Sequence, residues 1–327
     1  MNKVLRIGTR DSQLAVWQAT LVQDRLQRNG ITSELVYMKS DGDIDLVTPL
    51  YEIGVQGIFT KTLDAALLSN RIDLAVHSMK DVPTQLAKGI QQAAVLERAS
   101  YKDILVIKNE FSDISDALGF VNREWSVVSE GNKFTTHNSR LTIATSSIRR
   151  KAQWLNRYPN HIIENLRGNV NTRLRKVNEN NWDGAIFAAA GLERIGLRPE
   201  NSIELDWMLP APAQGAIMVV CREDDAHTKS VCALLNDPAT ALCTRIERDF
   251  LRVLLGGCAT PISALAEWKG EDIFFRGHIL SVDGKEKIET TFRSPVAESK
   301  DLGSKAAQQL LEKGADKIVS AIRNAGA

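Results

Sequence analysis

The chain lacks the signals by which a metal site, a membrane segment or a nucleic-acid surface is usually read. Its four cysteines, Cys221, Cys232, Cys243 and Cys258, contain no CxxC pair, and its five histidines, His77, His137, His161, His227 and His278, form no HxxxH or HExxH. Zinc spacing is missing, so no metal is expected. No run approaches ~18 apolar residues, so no membrane-spanning helix is expected either. Lys and Arg number 41 against 40 Asp and Glu, a net charge of +1, which leaves no global field to draw in nucleic acid or an anionic membrane. No apolar leader precedes the first strand, and the expected setting is the cytoplasm, with thiols reduced. A chain this close to neutral holds an anionic ligand only by gathering its cations in one place.

What is present is a soluble α/β pattern. With 327 residues and 43% hydrophobic content there is material for two or three domains. Val4–Thr9 reads as an apolar strand, followed by a helix with Leu14, Trp17, Leu21, Val22 and Leu26 on one face. Thr32–Lys39 reads as a strand, Gly57–Ser69 as a helix and Ile72–His77 as a strand. Such β-α-β alternation implies a mostly parallel sheet flanked by helices, with ligands at the carboxyl ends of its strands. The pattern restarts at Asp103–Lys108 and runs on through strands at Leu141–Ala144, His161–Leu166 and Asp183–Ala188, each followed by a helix. Residues 112–140 read as a long surface loop or hairpin. A Pro/Ala-rich connector, Leu209–Gly215, leads to the strand Ala216–Cys221, which is expected to rejoin the first sheet. Residues 239–253 read as a charged amphipathic helix. Three strands joined by hairpin turns follow, then helices at about 297–313 and 315–324.

The strand ends carry the polar chemistry. Arg10 and Ser12 stand on the first strand–helix turn, where Ser12 is either a helix cap or, with Arg10, part of an anion seat. Asp81 follows an apolar strand, beside Ser78 and Lys80. It reads as an N-cap before Pro83, or as a carboxylate that accepts a proton or faces a developing cation. Thr145-Ser146-Ser147 suits a cap, but Arg149 and Arg150 conflict with the positive end of a helix dipole unless an anion lies between them. Arg167 and Arg173 flank the next turn, which Gly168 frees, and Arg194 sits on the helix after Asp183–Ala188. Arginine at three successive strand ends points to a cleft for carboxylate or phosphate. Cys258, preceded by Gly256 and Gly257, is a packed small hydrophobe, a nucleophile or a covalent anchor.

Taken in order, several stretches resemble the porphobilinogen deaminase family: Arg6–Ala15 (RIGTRDSQLA), Ala75–Pro83 (AVHSMKDVP), Thr145–Arg150 (TSSIRR), Leu166–Leu174 (LRGNVNTRL), Ala189–Arg194 (AAGLER), Pro212–Ala216 (PAQGA) and Leu255–Ile262 (LGGCATPI). The resemblance implies an α/β fold of two periplasmic-binding-protein-like (type II) lobes with doubly wound mixed sheets, plus a small C-terminal α+β domain with a three-stranded antiparallel sheet. The expected division is 1–99 with 215–235, then 103–210, then 238–327. The resemblance also implies a monomeric transferase of tetrapyrrole biosynthesis. Such an enzyme joins four porphobilinogen molecules head to tail on a covalent dipyrromethane cofactor, releases ammonia, and frees linear hydroxymethylbilane by hydrolysis. On that likeness Cys258 carries the dipyrromethane through a thioether. Ser78, Lys80, Thr145, Ser147, Arg149, Arg150, Arg173 and Gln214 surround it. Arg10, Ser12, Phe59, Arg149, Arg167, Arg173 and Arg194 bind substrate, and Asp81 is catalytic.

Three places depart from the family pattern. Gln56 and Thr62 replace the lysine and glutamate of the usual Gly-Lys-Gly-x-Phe-x-Lys-Glu, Val47 stands where aspartate is usual, and the 112–140 segment is longer than the usual connection. Other classes fit less of the chain. A non-catalytic two-lobed anion-binding protein explains the arginines but not Asp81 or Cys258. A thiol-transfer enzyme needs a base beside the sulfur, and no Cys–His pairing supplies one. An inactive deaminase-like protein is the reading that Gln56 and Thr62 raise.

Overall fold

Alternating apolar residues build two five-stranded sheets, and a three-stranded sheet follows them. The computed structural model describes residues 3–39, 60–108, 140–254 and 260–325. The first sheet holds β1 (Leu5–Arg10), β2 (Ser33–Met38), β3 (Leu74–Ser78), β4 (Ile90–Val95) and β10 (Ile217–Arg222), in the order β2-β1-β3-β10-β4. The second holds β5 (Asp103–Ile107), β6 (Thr142–Ala144), β7 (Ile162–Glu164), β8 (Gly184–Ala188) and β9 (Ser202–Glu204), in the order β7-β6-β8-β5-β9. The helices are α1 (Gln13–Arg28), α2 (Lys61–Leu68), α3 (Ile148–Arg157), α4 (Val170–Glu179), α5 (Ala189–Glu193), α6 (Ala226–Ala233), α7 (Pro238–Val253), α8 (Leu302–Leu310) and α9 (Asp316–Ala325).

The expectation of mostly parallel sheets holds on one side of each only. β2-β1-β3 and β7-β6-β8 pair in parallel, whereas β10 and β5 pair antiparallel with both neighbours. The reason is connectivity: β5 arrives from β4 of the first sheet and β10 from β9 of the second, not through a helical crossover within its own sheet. The return of the 216–221 stretch to the first sheet is borne out by β10.

Strand periodicity sends alternate residues to opposite faces. On one face of the first sheet Leu5, Ile7, Leu74 and Val76 pack with Val22 and Leu26 of α1. On the other, Ala75, Met218 and Val220 pack with Leu63 and Leu67 of α2. In the second sheet Leu105, Ile143 and Ile186 meet Trp154 of α3, and Ile104, Val106 and Phe187 meet Val177 of α4 and Leu192 of α5. Each sheet is covered on both faces, as a doubly wound lobe requires.

The two crossover segments, 96–102 and 205–216, lie against one another. Ala99 N–H donates to the Gly215 carbonyl at 3.1 Å. Gly215 has φ +86°, and a Cβ there would stand 2.7 Å from the carbonyl oxygens of Ala99 and Ser100, so only glycine permits the approach.

The C-terminal unit packs α7 and α8 on the antiparallel strands β11 (Ile262–Lys269), β12 (Asp272–Leu280) and β13 (Lys287–Pro295), over a core that includes Ile246, Phe250, Ile262, Phe275 and Leu302. The expected final helices appear as α8 and α9, parted by a turn in which Gly314 has φ +95°. This unit touches both lobes: Gln153 donates to Ser263 Oγ at 3.1 Å, and Asp237 N–H donates to the Val95 carbonyl at 2.8 Å. Its main tie is Glu247 of α7, fully buried. Glu247 accepts from both Nη atoms of Arg98 (2.6 and 3.1 Å), from Ala213 N–H (2.6 Å) and from Ala266 N–H (2.8 Å). One carboxylate thereby joins both crossover segments to β11.

Removing that charge leaves Arg98 buried and uncompensated. Glu247→Gln is expected to destabilise the protein by about 3–5 kcal/mol. Urea unfolding measures this, and a loss under about 1 kcal/mol, the net worth of an ordinary hydrogen bond, would show that the ion pair is not the tie.

Candidate active site

Asp103 opens β5, where the burial of every residue leaves its carboxylate without water. Three side chains enclose it. Arg149 Nη2 donates to Oδ2 at 2.7 Å, Arg150 Nη2 and Nε donate to Oδ1 at 2.8 and 3.1 Å, and Gln214 Nε2 donates to Oδ1 at 2.9 Å. Burial alone would raise the Asp103 pKa. The charges of Arg149 and Arg150 outweigh it and hold the carboxyl well below the usual range. Arg149 also donates to the Leu209 carbonyl (2.6 Å) and Arg150 to the Ile186 carbonyl (2.9 Å). The anion that the sequence demanded between these two arginines is thus supplied in part by the chain itself. Sequence reasoning took Asp103 only as the start of a strand. The available signal was a carboxylate opening an otherwise apolar run, DILVIK.

Ser147 caps α3, its hydroxyl accepting from Arg150 N–H at 3.4 Å, and Thr145 Oγ1 accepts from Ser147 N–H at 3.2 Å. Both hydroxyls therefore shape the turn that carries the two arginines.

The first lobe faces this cluster with Lys80 and Asp81. They sit on a single 3-10 turn, Met79–Asp81, at the carboxyl end of β3. No helix opens at Pro83, so the N-cap reading of Asp81 falls away. Lys80 Nζ donates to Gln214 Oε1 at 3.4 Å, which links it through Gln214 to Asp103. Burial, then the nearby Arg150 charge, pulls the Lys80 pKa down to about 8. Ser78 is held by Gln18 of α1, with Gln18 Nε2 donating to its hydroxyl at 2.9 Å.

Arg173 joins the cluster from α4. Its Nε donates to the Gly168 carbonyl at 2.7 Å, across a turn where Gly168 has φ +115°. Burial, with Arg150 and Arg167 beside it, lowers its pKa to about 10, and Asp81 opposes that shift. Arg167 is buried next to it. Lys80, Arg149, Arg150, Arg167 and Arg173 therefore gather around two carboxylates, Asp81 and Asp103. Burial first, and the neighbouring arginines second, depress the pKa values of Lys80 and Arg173.

The remaining residues expected from the sequence lie farther out. Arg194 donates to the Gly215 carbonyl at 2.7 Å and stacks over Trp17, 5.7 Å from the ring centre, so it ties the second lobe to the crossover and to α1. Asn171 Nδ2 donating to Gln13 Oε1 at 2.9 Å forms a second tie to α1. Ser12 precedes α1, but its side chain does not cap the helix. Arg10 ends β1 near the buried His77, whose pKa drops to about 4 through burial and then the Arg10 charge. Cys258, Phe59, Gly256, Gly257, Val47, Gln56 and most of the 112–140 segment lie outside the described residues.

Sequence and structure comparisons bear on this arrangement. The family profile described as porphobilinogen deaminase, dipyromethane cofactor binding domain, matches residues 5–230, and the C-terminal domain profile of the same family matches residues 241–312. A porphobilinogen deaminase of Acidithiobacillus ferrooxidans is 40% identical, over 98% of this chain and 99% of its own. One from Geobacter metallireducens is 39% identical, over 98% and 95% respectively. Among solved structures, the VFT2 domain of Bordetella pertussis BvgS is 13% identical with a TM-score of 0.40, covering 71% of this chain and 86% of that one. The methionine binding protein MetQ is likewise 13% identical with a TM-score of 0.40, covering 70% and 88%. With both lobes and the C-terminal unit matched at near full length, the chain belongs to the porphobilinogen deaminase family.

Proposed function

We propose that this cleft polymerises porphobilinogen with Asp81 as its catalytic carboxylate and Cys258 as the covalent anchor. Family membership makes the chain a transferase, a hydroxymethylbilane synthase of tetrapyrrole biosynthesis. The observation that carries the site assignment is the gathering of three buried arginines, Arg149, Arg150 and Arg167, with the half-buried Lys80 and Arg173 that Asp81 acts on. Each porphobilinogen brings an acetate and a propionate, and a site that concentrates arginine and lysine in low dielectric suits such a polyanion.

The donor set also fits the dipyrromethane. Lys80, Arg149, Arg150 and Arg173 offer charged N–H groups for its carboxylates, and Gln214 orients Lys80 against Asp103. When bound, that group supplies a pyrrole α-carbon on which the chain grows. Each addition forms a carbon–carbon bond, breaks a carbon–nitrogen bond, and sends the amine out as ammonia with the displaced proton. Asp81 places a carboxylate where positive charge develops on the substrate's pyrrole nitrogen, then takes up the proton. Arg167 and Arg194 receive carboxylates toward the cleft mouth, with Arg10 and Ser12 on the facing turn. Phe59 adds an apolar contact. We further place the enzyme in the cytoplasm as a monomer; the buried free thiols of Cys221, Cys232 and Cys243 suit a reducing compartment.

Denatured intact protein should weigh more than its sequence by one dipyrromethane, and Cys258→Ala should abolish the excess. Wild-type mass equal to the sequence mass, even after incubation with porphobilinogen, would sink the anchor assignment. Asp81→Asn should keep the fold while turnover falls by about 100-fold or more, the range for a lost general acid–base. Turnover within a few-fold of wild type would remove Asp81 from the chemistry.

The Lys80 pKa of about 8 sets a pH dependence. Lys80 is cationic below that pH and neutral above it, so carboxylate binding weakens as pH rises. Uptake of the dipyrromethane by cofactor-free protein should slow several-fold between about pH 7 and about pH 9, and Lys80→Met should flatten that fall. A wild-type profile that is already flat would rule out Lys80 as a carboxylate partner.

A further inference from the structure

The turn that carries Asp81 is short, and its own lobe holds it through the buried side chains of Met79 and Val82 on either side of Asp81. It is one 3-10 turn of three residues, and no helix or strand follows until β4 begins at Ile90. Alongside it runs an open groove of about 540 Å³, lined by Met79, Thr84, Leu86, Leu242, Arg245 and Arg248 among others. On that side the turn meets the groove and the α7 side chains that line it.

One side chain crosses from the C-terminal unit to hold it. Arg248 of α7 donates through Nη1 to the Val82 carbonyl at 2.9 Å and to the Met79 carbonyl at 3.4 Å, and through Nη2 to the Pro83 carbonyl at 2.6 Å. These acceptors flank Asp81 on both sides in sequence. A planar guanidinium with donors pointing several ways spans such a set, and an ammonium on a flexible stem does not. The same helix is fixed one residue earlier by Glu247 to both crossover segments, and Cys258 follows its end at Val253 by five residues in the sequence.

We infer that Arg248 is a positioning residue for Asp81, setting where the carboxylate stands relative to the anchored chain. This rests on the roles proposed above for Asp81 and Cys258. The hydrogen bonds given above go to backbone carbonyls and not to the Asp81 carboxylate. Arg248 acts by fixing the backbone on either side of Asp81 from α7, the helix that precedes Cys258 in the chain. An error of about 1 Å at a catalytic group costs up to about 100-fold in rate, and hydrogen bonds to three carbonyls restrict the turn to less than that.

The test uses the full-length holoenzyme and Arg248→Lys, Arg248→Met and the control Arg245→Met. Steady-state kinetics with porphobilinogen, intact mass and thermal unfolding are read for each. For both Arg248 variants kcat should fall by about 10- to 100-fold with KM within about twofold and the dipyrromethane mass retained, while Arg245→Met keeps kcat within about twofold. Added guanidinium ion should recover part of the lost kcat in Arg248→Met. Arg248→Lys keeps the charge and the aliphatic stem, so its kcat remains readable should Arg248→Met fail to fold. Wild-type kcat in Arg248→Lys overturns the inference, as does an equal loss in Arg245→Met or a loss that appears in KM alone. An inactive, unmodified wild-type protein would instead indict the functional assignment on which it stands.

Discussion

Two buried guanidinium groups side by side are prohibitive unless something answers their charge. Desolvation of each costs several kcal/mol, and their mutual repulsion adds to it. Asp103 answers one charge, sharing its two oxygens between Arg149 and Arg150. Lys80, Arg167 and Arg173 stand in the same cluster, with Asp81 acting on Lys80 and Arg173. Positive charge is thus densely packed on this side of the lobe. That is a different design from a row of solvent-exposed cations, which water and salt would screen. Here Arg149, Arg150 and Arg167 are buried, so solvent screens their charges little.

Asp103 also ties the arginine cluster to the first lobe. Gln214, on the second crossover, donates to Asp103 in one lobe and accepts from Lys80 in the other. Arg98, on the first crossover, reaches Glu247 and the Gln214 carbonyl. The polar chain therefore passes through both segments that join the lobes. With Gly215 packed against Ala99 and Ser100 the crossovers form a stiff double strap, and motion between lobes has to bend both together. The lobes also meet through Asn171 and Gln13, and through Arg194, which lies over Trp17 and donates to the Gly215 carbonyl of the second crossover. These are exposed or half-buried contacts of the sort that break at small cost.

Much of this was legible in the sequence because it was local. Strand and helix periods located most elements, and the arginines were conspicuous because each stood at a strand end where ligands sit. What escaped depended on partners far away in the chain. Asp103 looked like an ordinary strand start, since nothing local says that Arg149 and Arg150 will close on it. Glu247 and Arg248 lay in a helix whose charges resembled a solvated face, yet one is fully buried and the other reaches carbonyls of the first lobe. The strand β4, IQQAAV, went unread because its glutamines break the apolar alternation at a sheet edge, where one of them, Gln91, donates to the backbone of Arg222. Asp81 followed by Val82 and Pro83 imitated a helix start, but the chain there turns once and extends, with Arg248 taking the carbonyls that a helix would have used internally.

The exchange of strands between the sheets has a consequence for the order of assembly. All five strands of the second sheet lie within residues 103–204, so that sheet can close as soon as its own segment exists. The first sheet cannot: β4 pairs only with β10, and β10 lies beyond the whole second lobe. Until residues 217–222 are made, β3 has an open edge and β4 has no neighbour in its sheet. The N-terminal segment, synthesised first, is thus the part that must wait, exposing an apolar strand edge prone to wrong pairing in the interval.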